Sequence, residues 1–351
     1  MKVLYIFSGS HKAPSADAPD AQLYGLNYLE ALGIQADAVG RDDALSGWLR
    51  ESWLGKLAGF KTRHALLYFT ARSYDVVFGP ALLYLMPLNK LFGGKAKYVV
   101  LNIELNRILR GGEGRPLRKW FIESLLKEFS AIVCLSTDQK EWLLARYPSL
   151  VGRVFFVPFC ADIHFYLPEY EGRNDVVLSV GRDNGRDYRT LLEVARQMPE
   201  TQFEIVCSPR NLVDIEDVPT NVRVYYDLSF AELREKYQTA RMIVITTHDD
   251  SSTLGADCSG QTVLLDAMAC GLPIIATHKA YLADYVRDGQ DALVVDCYNP
   301  KQLAAAIVRL TNDAALRVLL AKSARSRAER EFSTQIMAES LSHIFKNIWN
   351  N

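Results

Sequence analysis

The sequence has little in it that would brace the chain covalently or anchor it in a membrane. Six cysteines, Cys134, Cys160, Cys207, Cys258, Cys270 and Cys297, are scattered with no C-x-x-C pair among them. That argues against a disulfide framework or a zinc site and for reduced, buried thiols in a cytoplasmic protein. No apolar run reaches the roughly 20 residues a membrane span needs. The greasiest region, VVFGPALLYLMPLNKLF at 76–92, is broken by Pro80 and Pro87, so no transmembrane helix is expected. At the N-terminus, VLYIF is an apolar run of five behind a single lysine, shorter than the roughly 7 to 15 residues of a signal-peptide core, and reads as a first β-strand. Net charge is also lacking, at −1, and with no binding motif beside it this disfavours nucleic acid as a partner. Neither half opens with G-x-G-x-x-G, which disfavours a Rossmann dehydrogenase. Low-complexity tracts and sequence repeats are missing as well.

What is present is a core-forming chain of 351 residues, 49% of them hydrophobic, enough for two domains. Short β-branched or apolar runs recur with helix-length segments between them: VLYIF (3–7), DVVF (75–78), KYVVL (97–101), AIVCL (131–135), VFFV (154–157), DVVLSV (175–180), FEIVC (203–207), VRVYY (222–226), MIVIT (242–246), PIIAT (273–277) and ALVV (292–295). Continuous apolar strands alternating with helices predict parallel sheets covered on both faces. The expected fold is α/β, with two doubly wound Rossmann-like domains. Prolines, a glycine and polar residues in VPFCADIHFYLPEYEGRN (157–174) mark the seam, giving domains at 1–165 and 166–332. The remaining segment, 333–351, reads as a helix capped by Ser333, with apolar positions Ile336, Met337, Leu341, Ile344 and Ile348 that suit packing back across the first domain. Charge divides unevenly: residues 1–165 hold 20 Lys+Arg against 15 Asp+Glu, and the rest 20 against 26.

Chemistry concentrates in CSGQTVLLDAMACGLPIIAT (258–277). In open parallel sheets, ligands sit outside the carboxyl ends of strands, and anions favour the helix N-termini that follow. Ser259 and Gly260 let backbone N–H groups approach an anion, while Gln261 and Thr262 add side-chain groups on the first turn. Gly271 suits the residue just past the helix end, with Pro273 behind it. Asp266, four residues beyond Thr262, shares its face and is placed to accept hydrogen bonds from ribose hydroxyls. Spacing alone leaves a solvated acid at the rim of a core helix as the other reading.

The stretch GQTVLLDAMACGLPIIATHKAYLADYVRDGQDALVV strongly resembles the C-terminal signature of the retaining nucleotide-sugar glycosyltransferases of family 4, which have the GT-B fold. VVLSVGRDNGRDYRTLLEVA (176–195), AIVCLSTDQKEWL (131–143) and VPFCADIHFYLP (157–168) extend the likeness, which loosens before residue 95. The resemblance implies two domains facing a cleft, a nucleoside diphosphate sugar as donor, with a UDP-sugar favoured and a GDP-sugar next, and no cofactor. It implies transfer to a hydroxyl of a glycan or lipid-linked acceptor with retention of configuration.

Family members carry two glutamates in this signature. The ribose-holding one falls on Asp266 and the sugar-contacting one on Cys258, with Asp257 next door as the substitute. For the basic pair that neutralises the diphosphate, Arg182 matches the first member. Asp187 occupies the usual lysine position, so Arg186 or Arg189 would supply the second charge. Ile103 and Glu104 stand where relatives place a histidine-aspartate pair, leaving Glu104 to orient the acceptor hydroxyl. Gly9, in the SGS turn of Ser8 to Ser10, would lie near the donor phosphates. The catalytic candidates are therefore Glu104, Arg182, Arg186 and Asp257. The donor-binding candidates are Gly9, Arg182, Arg186, Ser259, Gly260, Gln261, Thr262 and Asp266. No metal is expected: HDD at 248–250 follows a strand in the wrong architecture, and His11, His64, His164, His278 and His343 show no ligand spacing.

Two aromatic-plus-basic stretches, 48–69 with Trp48, Arg50, Trp53, Lys56, Leu57 and Phe60, and RILRGGEGRPLRKW (107–120), read either as a peripheral contact with an anionic membrane or as a core helix and a solvated loop. The expected location is the cytoplasm, at the inner face of its membrane on the first of these readings. Departures at Cys258 and Ile103 keep two alternatives open: an inactive nucleotide-sugar-binding or scaffold protein, and an epimerase or hydrolase on the same fold.

Overall fold

Twelve parallel strands, β1 to β12, form two six-stranded sheets in the computed structural model, which describes residues 1–9, 17–40, 43, 60–111 and 116–350. The candidates Ser10, His11, Trp48, Arg50, Trp53, Lys56 and Leu57 lie outside the described residues. The chain divides into two compact units, one comprising 1–14, 25–157 and 337–351, the other 15–24 and 158–336.

In the first unit the strands are β1 (Lys2–Ile6), β2 (Gln35–Val39), β3 (Val76–Gly79), β4 (Lys97–Asn102), β5 (Ala131–Cys134) and β6 (Val154–Phe156), in the order β2-β1-β3-β4-β5-β6. In β1, β3, β4 and β5 the Val, Ile, Leu and Phe side chains are buried on both faces, as continuous apolar runs in a covered parallel sheet must be. Strand β2, QADAV, is absent from the sequence reading for a physical reason. It is an edge strand paired only with β1, and none of its residues is fully buried, so it needs no β-branched run.

The second unit contains β7 (Val176–Gly181), β8 (Gln202–Cys207), β9 (Val222–Tyr226), β10 (Met242–Ile245), β11 (Ile274–Thr277) and β12 (Leu293–Val295), in the order β12-β11-β10-β7-β8-β9. Counted within the unit this is the doubly wound order 3-2-1-4-5-6, whose topological switch point falls between β7 and β10. Helices Tyr188–Gln197 and Pro300–Asn312 pack against each other beside the core of Leu191, Ile205, Val244 and Ile307. Helix Gln261–Ala269 packs on helix Ala314–Glu331.

Domain limits differ from the sequence reading. The linker already belongs to the second unit from Pro158: the Phe159 N–H donates to the Tyr285 hydroxyl (2.8 Å), and Arg325 donates to the carbonyls of Ile163 (3.1 Å) and Tyr166 (2.7 Å). Residues 17–24 join that unit too, where the Asp20 amide donates to the Asp162 carboxylate (2.9 Å). The C-terminal helix, Thr334–Asn350, is capped by Ser333, whose Oγ accepts the Ile336 N–H at 3.3 Å. From Met337 onward it is part of the first unit. Its Phe345 ring, fully buried, meets Phe78 at 5.5 Å and Tyr5 at 6.5 Å between centroids.

Candidate functional site

At the carboxyl ends of β7 and β10 the second unit holds a buried arginine. The backbone of Arg186 pairs with Thr247, just past β10, and one guanidinium nitrogen, Nη2, donates to the Val180 carbonyl on β7. Arg186 is 5% exposed, yet its Nε and Nη1 have no hydrogen-bond partner. A cation buried with two open donors is costly, and an Arg fork open on one side matches the bidentate geometry of phosphate oxygens. Two glycines make room for it. A Cβ at Gly181 would come 2.2 Å from Nε, and one at Gly260 would come 3.0 Å from Nη1. Gly260 also has φ +86°, a conformation that suits glycine.

Gly260 is the N-cap of helix Gln261–Ala269, and no side chain caps it. The positive end of that nine-residue helix is therefore beside the open guanidinium. Not every amide expected there is available. The Ser259 N–H donates to the Ala256 carbonyl (3.1 Å) and the Gln261 N–H to the Cys258 carbonyl (3.1 Å), because the preceding turn closes on itself. Ser259 Oγ is engaged in the same turn, donating to the Ala256 carbonyl at 2.9 Å. Gly260 and Thr262 are left to face an anion, with Thr262 half-buried and Gln261 buried. Asp257 and Cys258 are half-buried in this turn.

The other basic candidates separate. Arg182 is exposed and 3.8 Å from the Asp227 carboxylate. Arg189 is exposed and donates to the Asp214 carbonyl at 2.8 Å, so it does not join Arg186. Asp187 is the N-cap of helix Tyr188–Gln197, accepting the Thr190 N–H (3.2 Å) and hydroxyl (2.5 Å). Its carboxylate satisfies a helix end.

Asp266 is not at a rim. It is 6% exposed, and burial pushes its carboxyl up to about 8, against a downward pull from the hydrogen bond of Tyr166 and a further upward push from Asp162. Burial thus favours its protonated form, which can donate as well as accept a hydrogen bond. The Tyr237 hydroxyl, buried and without a hydrogen-bond partner, is under the influence of both Asp266 and Arg186. Thr246 Oγ1, one residue past β10, is another buried polar atom without a partner.

In the first unit, Glu104 precedes helix Leu105–Arg110 and pairs with Arg107 at 2.7 Å, both side chains 53% exposed. Gly9 and Ser8 are exposed, and a Cβ at Gly9 would meet nothing within 4 Å, so no packing constraint requires glycine there. The aspartates of HDD have protein partners: Asp250 pairs with the buried Lys279 at 2.9 Å, and Asp249 accepts from Ser251. Among the described residues no group of three or more His, Cys, Asp or Glu is placed to hold a metal ion. His64 is buried, with Nε2 at 3.3 Å from the Phe7 carbonyl oxygen.

Sequence reasoning passed over Tyr237, Thr246 and Lys279. Lys279 and Thr246 each follow the carboxyl end of a strand, the position at which such sheets bind ligands, and that signal could have found them. Tyr237 is inside a helix and carries no local mark.

Two Rossmann-like domains, one with an open basic fork at its switch point, define the class of protein. Residues 174–313 match the family model described as glycosyl transferases group 1. The D-inositol 3-phosphate glycosyltransferase of Corynebacterium jeikeium (strain K411) is 23% identical over 278 residues, which make up 70% of this chain and 64% of that protein. The match thus spans slightly less than two thirds of that relative's length. Sucrose-phosphate synthase from Thermosynechococcus elongatus shares the fold with a TM-score of 0.75 at 18% identity over all of both chains. Anabaena Alr3699/HepE in complex with UDP-glucose does so with a TM-score of 0.69 at 15% identity, over 99% of this chain and all of that one. The fold is GT-B, shared with both of these structures.

Proposed function

We propose that this protein is a glycosyltransferase that binds a nucleoside diphosphate sugar in its C-terminal domain and moves the sugar to a hydroxyl of a glycan or lipid-linked acceptor, with retention of configuration. One observation carries the reading: the buried Arg186 fork, with Nε and Nη1 unpartnered, beside the uncapped helix end at Gly260 and at the switch point of the sheet. That is a site for a diphosphate. In the reaction the bond from the anomeric carbon to the diphosphate oxygen breaks and a bond to the acceptor oxygen forms, with the hydroxyl proton released. Negative charge grows on the leaving diphosphate, where Arg186 opposes it, Arg182 swings in as the second cation, and Gly260 and Thr262 complete the anion pocket. Asp266 holds the ribose hydroxyls, and Glu104 orients the acceptor. Asp257 stands in beside Cys258 for the group that contacts the transferred sugar. The UDP-glucose bound by Anabaena Alr3699/HepE supports uridine before guanosine as the base.

The test is to incubate the protein with UDP-, GDP-, ADP- and dTDP-sugars and simple glycan acceptors, following released nucleoside diphosphate and the anomeric configuration of the product by NMR. Release that depends on acceptor, from one donor class, with the anomeric centre unchanged, supports the proposal. Inversion rejects retention. Binding without turnover favours the inactive reading, which Cys258 and Ile103 motivate, and release without an acceptor favours a hydrolase.

A further inference from the structure

The first unit carries an apolar surface that its own core does not use. Helix Pro116–Leu126 has two apolar faces. Ile122, Leu125 and Leu126 are buried in the core, while Leu117, Trp120 and Phe121, spaced i, i+3, i+4, are 83%, 68% and 46% exposed. Helix Met86–Phe92 packs beside it and exposes Leu91 and Phe92 at its end, at 72% and 57%. Phe92 stacks on Tyr68 with ring centroids 6.3 Å apart, and Tyr68 meets the 57%-exposed Phe69 at 5.4 Å. These neighbouring elements thus expose six large apolar side chains. A patch of this kind marks an interaction site.

Charge around the patch identifies its partner. Arg72, Lys90, Lys95 and Lys127 are all exposed, and segments 60–73, 86–97 and 116–128 together hold nine Lys or Arg against two acids, Glu123 and Glu128. Apolar anchors with cations around them suit a surface that is greasy within and anionic at its face. We propose that this patch seats the protein on an anionic phospholipid bilayer, with Trp120, Phe121 and Leu117 entering the headgroup boundary and the cations meeting lipid phosphates. Seating needs no turnover, so it stands or falls independently of the donor site.

Sedimentation with phosphatidylcholine vesicles, with and without an equimolar share of phosphatidylglycerol, tests it on the full chain. The expected result is binding only to the anionic vesicles, weakening as salt rises. Leu117→Ser with Trp120→Ser, and separately Lys90→Glu with Lys95→Glu, should each lower the partition coefficient by about tenfold or more. These side chains are exposed, so the circular dichroism melt of each variant should match that of the parent. Absence of binding to anionic vesicles, or binding that ignores both pairs of substitutions, overturns the proposal. So does a dimer in light scattering that Trp120→Ser converts to monomer, because the patch would then be covered by a second copy.

Discussion

At the scale of single residues, Arg186 and Asp266 both carry a cost in the ligand-free protein. Arg186 keeps one hydrogen bond, to Val180, and leaves two donors unmet in a buried place. Replacing it with Met removes an incompletely satisfied charge at similar length. The substitution should change unfolding free energy by no more than about 1 kcal/mol, measured by urea denaturation, whereas an arginine with a purely structural role would cost several times that. Asp266 makes the domain sensitive to pH. Its carboxyl holds a proton up to about pH 8 when folded and only to about pH 4 when unfolded. The folded state therefore binds the extra proton between those values. Its contribution to stability is complete below pH 4 and declines as pH rises toward 8. Denaturation midpoints measured from pH 5 to 9 should fall with pH in the parent, and Asp266→Asn should flatten that slope.

At the scale of elements, the signature helix is fixed at both ends by different means. Its far end is a Schellman motif: Gly271 N–H donates to the Met268 carbonyl at 3.0 Å and Leu272 N–H to Ala267 at 3.0 Å. Gly271 has φ +55°, and a Cβ there would come 2.8 Å from the Tyr170 ring. Gly271→Ala should cost about 1–2 kcal/mol. Beyond the helix, Arg173 donates to the Cys270 and Gly271 carbonyls, both at 3.1 Å, and also to Tyr237, Gln238 and Ala240 at the end of helix Phe230–Thr239. Arg173→Ala leaves five carbonyls to find water and should cost about 2–4 kcal/mol. Calorimetric melts of both variants check these values. The Gly-Leu-Pro ending was legible in the sequence because its requirement is local backbone geometry. Arg173 was not, because its partners come from two helices that only the fold brings together. The same contrast separates the strands. Eleven were readable from apolar runs, while β2 was hidden by the half-exposed character of an edge.

The candidate site divides along that line as well. Gly260 and Thr262 follow from the helix-start pattern, and Arg186 from its place after β7, but sequence could not choose between Arg186 and Arg189. Only folding shows that one turns inward to Val180 and the other outward to Asp214. Nor could it show that a turn engages the Ser259 and Gln261 amides, or that Asp266 is buried deeply enough to hold its proton.

At the scale of the whole molecule, the first unit depends on a helix that follows the second unit in sequence. Phe345 fills a buried place against Phe78 and Tyr5, far from its own neighbours in sequence. Phe345→Ala should destabilise that unit by about 3–5 kcal/mol. The loss can be read selectively, since Trp48, Trp53, Trp120, Trp142 and Trp349 all fall within the first unit's residue ranges. Tryptophan fluorescence should report an earlier transition, while heat absorption from the second unit stays near its parent temperature.

The most direct test of the donor site is a calorimetric titration of UDP into the parent protein, Arg186→Met and Arg189→Met. Loss of a charge-assisted fork to phosphate is worth about 1.5–3 kcal/mol, or roughly 10- to 150-fold in affinity. The account predicts that much weakening for Arg186→Met and near-parent binding for Arg189→Met. Equal affinity in all three proteins would contradict it and move the diphosphate away from the switch point of the second sheet.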